Sequence, residues 1–137
     1  SRLLEKRRLL YGEQHMKLKT VTVGIMSKED YKNRTMAIVR GEYKPKQDEP
    51  KIWFESIKSM AQILSNENQE LLKIILKNAP KSLKELEELT GRAKSNLSRT
   101  LKTLERYGIV ELHKEKQSVV PEVIATNFRV EFGLSAA

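Results

Sequence analysis

Between Ser82 and Gly108 two leucine-patterned stretches meet across a single glycine, and this junction constrains the fold more than any other part of the chain. Ser82-Leu-Lys-Glu85 has the S-x-x-E pattern, in which a serine side chain caps the start of a helix and a glutamate three residues on reaches back. Leu83, Leu86 and Leu89 then recur at three-residue intervals, and Gly91 supplies the left-handed backbone that ends a helix. A second helix is predicted from Ala93 to Tyr107, stopped by Gly108. Two helices joined by a tight, glycine-containing turn are the pattern of a helix-turn-helix.

The faces of the second helix carry the functional expectation. At 100° per residue, Leu97, Leu101 and Leu104 form one narrow stripe that should face a core. Ser95, Arg99, Lys102 and Arg106 fall opposite, with Arg92 and Ser98 nearby, and Glu105 is the one acid from Arg92 to Arg106. An α-helix fits the major groove of B-DNA, where Arg pairs bidentately with guanine and Ser or Asn meets other base edges. Residues near the helix start reach bases, while later cations meet phosphates. Arg92, Lys94, Ser95, Asn96, Ser98 and Arg99 are therefore expected to read bases, and Ser82, Lys102 and Arg106 to touch the DNA backbone. The plain alternative is a solvated basic face.

Downstream, Ile109 to Lys114 alternates as a strand, Glu115-Lys-Gln-Ser118 is turn-like, and Val119 to Phe132 returns, with Pro121 favouring an edge or bulge. Three helices followed by a hairpin is the element order of a winged helix. Lys114, Lys116, Gln117 and Ser118 at the tip would be the wing, and the alternative for each is an ordinary charged hairpin tip.

Upstream, Lys17 to Met26 alternates, with Val21, Val23 and Ile25 on one side, predicting a half-buried strand. Ser27 with Asp30 resembles a capping box, and Tyr31, Thr35 and Ile38 share one side of the helix that follows, up to Gly41. Glu42 to Pro50 reads as a linker, and Lys51 to Phe54 as a short extended piece. Ile57, Met60, Ala61 and Leu64 have the spacing of a buried helical stripe. Asn66 with Gln69 opens another helix, whose Leu71, Leu72, Ile75 and Leu76 should pack inward before Asn78-Ala-Pro80 closes it. Residues 1–15 read as a basic N-terminal arm, a short amphipathic helix or a vector-derived segment, with Met16 an alternative start.

Composition narrows the function classes. The 137 residues carry 26 Lys+Arg against 18 Asp+Glu, a net charge of +8, which points to a polyanionic partner. There are no cysteines, hence no disulfide framework, thiol nucleophile or thiolate metal site. His15 and His113 are the only histidines, and neither lies in a ligand-spaced cluster, so no metal and no cofactor is expected. His113 reads as an ordinary strand residue. Phosphate-cradling glycine motifs are lacking, and Glu85, Glu87 and Glu88 read as a solvated face rather than an acid/base pair, so an enzyme is not expected. No run reaches the ~18 apolar residues of a membrane span.

Ser82 to Leu112 (SLKELEELTGRAKSNLSRTLKTLERYGIVEL) resembles the helix-turn-helix and first wing strand of MarR/ArsR-type winged-helix transcriptional regulators, in particular a group of small prokaryotic DNA-binding regulators. Similarity to the smaller group extends through Met16–Tyr31 and Ile52–Ser65. The resemblance implies a homodimeric DNA-binding regulator in the cytoplasm, on the nucleoid when bound, and some relatives of this kind act as antitoxins beside a toxin. It implies no ligand pocket. The expected architecture is α+β, mainly α: a winged helix-turn-helix over 51–137, with a strand-helix extension and linker over 16–50. Sequence-specific binding to double-stranded DNA, by repression or a similar effect, is the leading expectation. The alternative is a winged-helix module that docks a partner protein such as a toxin. The N-terminal strand and the region of Trp53 are offered either as a dimer surface or as a cover for the core.

Overall fold

A computed structural model describes residues 19–134 and is α+β. The expectations for residues 1–15, for Met16 and for the start of the strand at Lys17 lie outside the described residues. The elements are β1 (Thr20–Ile25), α1 (Lys28–Val39), β2 (Ile52–Phe54), α2 (Ile57–Ile63), α3 (Asn66–Asn78), α4 (Leu83–Thr90), α5 (Lys94–Arg106), β3 (Val110–Glu115), β4 (Ser118–Val123) and β5 (Asn127–Glu131). No helix among the described residues is long and apolar enough to cross a membrane.

Two sheets organise these elements. β3 and β4 form an antiparallel hairpin, whereas β2, β1 and β5 form a parallel sheet in that order. Parallel neighbours need a crossover rather than a tight turn, and α1 with the 40–51 loop supplies it between β1 and β2. β5 corrects the sequence reading, which runs one returning strand from Val119 to Phe132. The strand breaks at Ile124–Thr126, where the N–H groups of Ile124 and Ala125 both donate to the Ile109 carbonyl (2.9 and 3.3 Å). The chain then leaves the hairpin and pairs with β1, in register Thr20↔Asn127 to Gly24↔Glu131. Pro121 remains inside β4, which pairs with β3 alone and so tolerates a missing donor.

One core joins the sheet to the helices. Val23 and Phe54 are fully buried and Ile52 nearly so, in the same cluster as Leu71, Leu72, Ile75, Leu86, Leu97, Leu101, Leu104, Ile109 and Val110. The Phe54 ring stacks on Tyr107, at the end of α5, with centroids 4.7 Å apart. A division at residue 50 therefore does not separate two cores. β1 and β2 act as the cover of a core within one chain, which removes Val23 and Phe54 from the expected dimer surface. Trp53 lies against Gly24, its partner across the sheet: a Cβ there would sit 2.5 Å from Trp53 Cζ3.

Two helical faces also differ from expectation. The predicted stripe of Ile57, Met60, Ala61 and Leu64 is cut short, because α2 ends at Ile63. Ile57 and Ala61 are exposed, and Met60, Ile63 and Leu64 make the packing contacts. Local side chains impose the break: Ser65 Oγ accepts from the Asn68 N–H (3.2 Å) to cap α3, Asn68 Nδ2 donates to the Ile63 carbonyl (2.9 Å), and Gln69 Nε2 donates to that of Leu64 (2.7 Å). The cap of α3 is thus Ser65, not Asn66. In α1 the inward side runs through Arg34, Ala37 and Ile38, while Tyr31 and Thr35 are exposed. Arg34 is drawn in by Glu49 (Nη2–Oε2 2.7 Å) and lies over the rings of Trp53 and Tyr43.

Candidate nucleic-acid interface

Specific backbone and side-chain contacts define the ends of α4 and α5 and the turn between them. Ser82 Oγ accepts from the Glu85 N–H (3.0 Å), and the Glu85 carboxylate accepts from the Lys81 N–H (3.0 Å). This is a capping box displaced by one residue on its carboxylate side. α4 ends at Gly91, in the left-handed region at φ 72°, where a side chain would be strained. Within the turn, Thr90 Oγ1 accepts from the Arg92 N–H (3.1 Å). Ala93, at the cap of α5, has no side-chain acceptor, and Glu87 of α4 fills the role by accepting from the Lys94 N–H (2.9 Å). A carboxylate at a helix N-terminus also complements the positive end of the helix dipole.

Behind α5, Leu97, Leu101 and Leu104 are fully buried, as the spacing predicts. Lys94, Ser95, Asn96, Arg99, Lys102 and Arg106 are exposed. None of the ion pairs among the described residues uses any of these four cations. Glu105, the one acid on this helix, is turned to the hairpin, where its carboxylate accepts from the Leu112 N–H (2.9 Å). The hydroxyl of Thr103 accepts weakly from Arg106 (3.5 Å) and donates to the Arg99 carbonyl.

Among the expected contact residues, Arg92, Asn96 and Ser82 are hydrogen-bonded within the chain. Arg92 folds back along α5, with Nε donating to Asn96 Oδ1 (2.9 Å) and Nη2 to Thr100 Oγ1 (3.3 Å), while Nη1 is buried without a partner among the described residues. It lines a cavity of about 630 Å³ with Glu67, Glu70, Leu71 and Ile74. Ser98 is half-buried beside the leucine stripe. Ser82 is half-buried, with its oxygen committed to the cap.

At the hairpin, Lys114, Lys116 and Gln117 are exposed at the tip and Ser118 is half-buried. Lys116 takes a positive φ of 54° to make the turn between the paired Glu115 and Ser118. The hairpin also assembles a group that the sequence reading missed: Glu111, His113 and Glu122, whose ligand atoms all lie within 4.8 Å of one another. The signal was the two-residue spacing of Glu111 and His113 on one strand face. Glu122, nine residues beyond His113, joins only once the register of the turn is known.

A family model described as HVO_A0114 matches residues 63–130, just under half of the chain, from the last residue of α2 to the penultimate residue of β5. All the candidate contact residues lie inside this span. No curated protein and no solved structure matches the chain.

Proposed function

We propose that the protein is a winged-helix transcriptional regulator that binds double-stranded DNA, with α5 in the major groove and the β3–β4 hairpin on its flank. One observation carries the reading: a ridge of exposed cations and small polar groups on α5, backed by three fully buried leucines. None of the four cations of the ridge is ion-paired among the described residues, and the carboxylates of Glu87 and Glu105 are each engaged by a backbone N–H group. Such a helix presents long-reach donors to base edges without losing them to internal ion pairs. Ser95, Asn96 and Arg99 are the leading base-reading residues. Lys102 and Arg106, further along, suit phosphates, and Lys114 and Lys116 suit the backbone beside the wing. Arg92 acts through Asn96, whose amide oxygen it holds.

A single short helix contacts few base pairs, so the functional unit is a homodimer reading two half-sites ~10 bp apart, or a multiple of that. Selection of bound sequences from a random duplex pool tests the proposal. The expected result is an enriched inverted repeat, together with a steep loss of binding as salt rises through counterion release. No enrichment, with no retention of random duplex even at low salt, overturns it and leaves α5 as a face for an acidic protein partner. Light scattering tests the dimer separately, which fails if the protein stays a monomer at micromolar concentration both free and on DNA.

A further inference from the structure

The outer face of the hairpin has an unusual charge pattern for a protein of net charge +8. Alternation along paired strands puts Glu111, His113 and Glu115 of β3 on one face with Glu122, Val120 and Ser118 of β4. Val110, Leu112, Pro121 and Val123 take the other face, toward the core, with Lys114 and Val119 on that face at the tip. The outer face thus holds three carboxylates and one imidazole, and no Lys or Arg. Glu111 and Glu122 are directly opposite each other in the register. Like charges at that position, with Cβ atoms ~5 Å apart, destabilise a strand pair. None of the ion pairs among the described residues brings a Lys or Arg to either glutamate, and Glu122 is met only by His113 (Nε2–Oε2 2.8 Å).

We propose that Glu111, His113 and Glu122 form a binding site for a divalent transition-metal cation, of which Zn²⁺ is the representative. Two carboxylate oxygens and one imidazole nitrogen make a three-donor set that such ions favour, with water completing the tetrahedron. Donors at about 2.0–2.2 Å from a tetrahedral zinc are roughly 3.3 Å from each other. His113 Nε2 and Glu122 Oε2 already stand at 2.8 Å, so the ion enters between two donor atoms that are now in contact, and the pair opens by only about half an ångström. Glu111 closes the set from across the ladder, because all ligand atoms lie within 4.8 Å of one another. The hairpin fixes these positions through backbone pairing, so binding requires rotamer changes at exposed side chains and no movement of strands. The ion would replace repulsion between opposed carboxylates with shared coordination. The site stands whether or not α5 enters DNA.

Zinc titration of the whole protein by calorimetry tests this, with the imidazole signals of both histidines followed by NMR. One equivalent is expected to bind and to shift the His113 resonances. H113Q, E111Q and E122Q should each weaken binding by at least the roughly 10–100-fold that loss of even an outer-shell partner costs. These side chains are exposed or half-buried, and far-UV circular dichroism with the thermal transition checks that each variant folds. H15Q removes the only other histidine and should leave binding unchanged. Absence of binding up to millimolar zinc overturns the proposal. So does binding that survives all three substitutions, that disappears in H15Q, or that Mg²⁺ matches in affinity, since an imidazole donor does not favour magnesium.

Discussion

α1 and α5 are nearly the same length, 12 and 13 residues, yet they are held by different means. α5 has three fully buried leucines, and α1 has no buried residue. α1 is attached through polar and aromatic contacts: the Arg34–Glu49 pair and the stacking of Arg34 over Trp53 and Tyr43. The contrast explains how a charged surface becomes a presented one. Apolar anchoring leaves every cation of α5 free to face outward, whereas α1 uses its inward-facing cation to stay in place.

The largest expected effect comes from removing an anchor. Leu101→Ala should destabilise the protein by about 2–5 kcal/mol in denaturant unfolding, because a fully buried leucine leaves a cavity. Ile38→Ala, in half-buried α1, should cost well under half of that; equal losses would erase the contrast. Next, Arg99→Ala should cost about 1–3 kcal/mol on a selected DNA site, while Lys102→Ala should weaken selected and random duplex alike and flatten the salt slope by ~1. If both variants act equally on both kinds of DNA, the division of α5 into reading and positioning residues is wrong. Arg34→Ala should lower stability by about 1.5–3 kcal/mol, the range for a hydrogen bond to a charged group, and leave DNA binding unaffected. The smallest effects belong to the caps. Ser27→Ala at α1 should cost about 1 kcal/mol, and Glu87→Ala at α5 a similar amount, the latter measured against the unchanged ion pair of α1.

The paired helices α4 and α5 and the turn between them were legible because their determinants are local. The stripe of Leu97, Leu101 and Leu104, the cap at Ser82 and the stops at Gly91 and Gly108 each act within a few residues, and all take the predicted roles. What the sequence concealed depends on partners far along the chain. The alternation from Val119 to Phe132 does not say that its second half abandons β3 for β1. The inward side of α1 follows from Glu49, Tyr43 and Trp53, which no periodicity within the helix reveals. At the candidate interface, the sequence separated outward from inward positions on α5 but missed side-chain competition. Arg92, which precedes α5, is captured by Asn96 and Thr100. The Glu111–His113–Glu122 group required the register of a turn.

The pairing of β1 with β5 has a kinetic consequence. Lys19 and Thr126, 107 residues apart, are hydrogen-bonded, as are Thr20 and Asn127. Bringing such distant segments together carries a loop-closure entropy that adjacent helices and a two-residue turn do not face, and parallel pairing of this kind forms slowly. The helical centre and its hairpin should therefore assemble early, with the amino-terminal strand docking as the last step of maturation. During synthesis, β1 leaves the ribosome long before β5 exists, so one of its two edges stays open after β2 has become available to pair with the other.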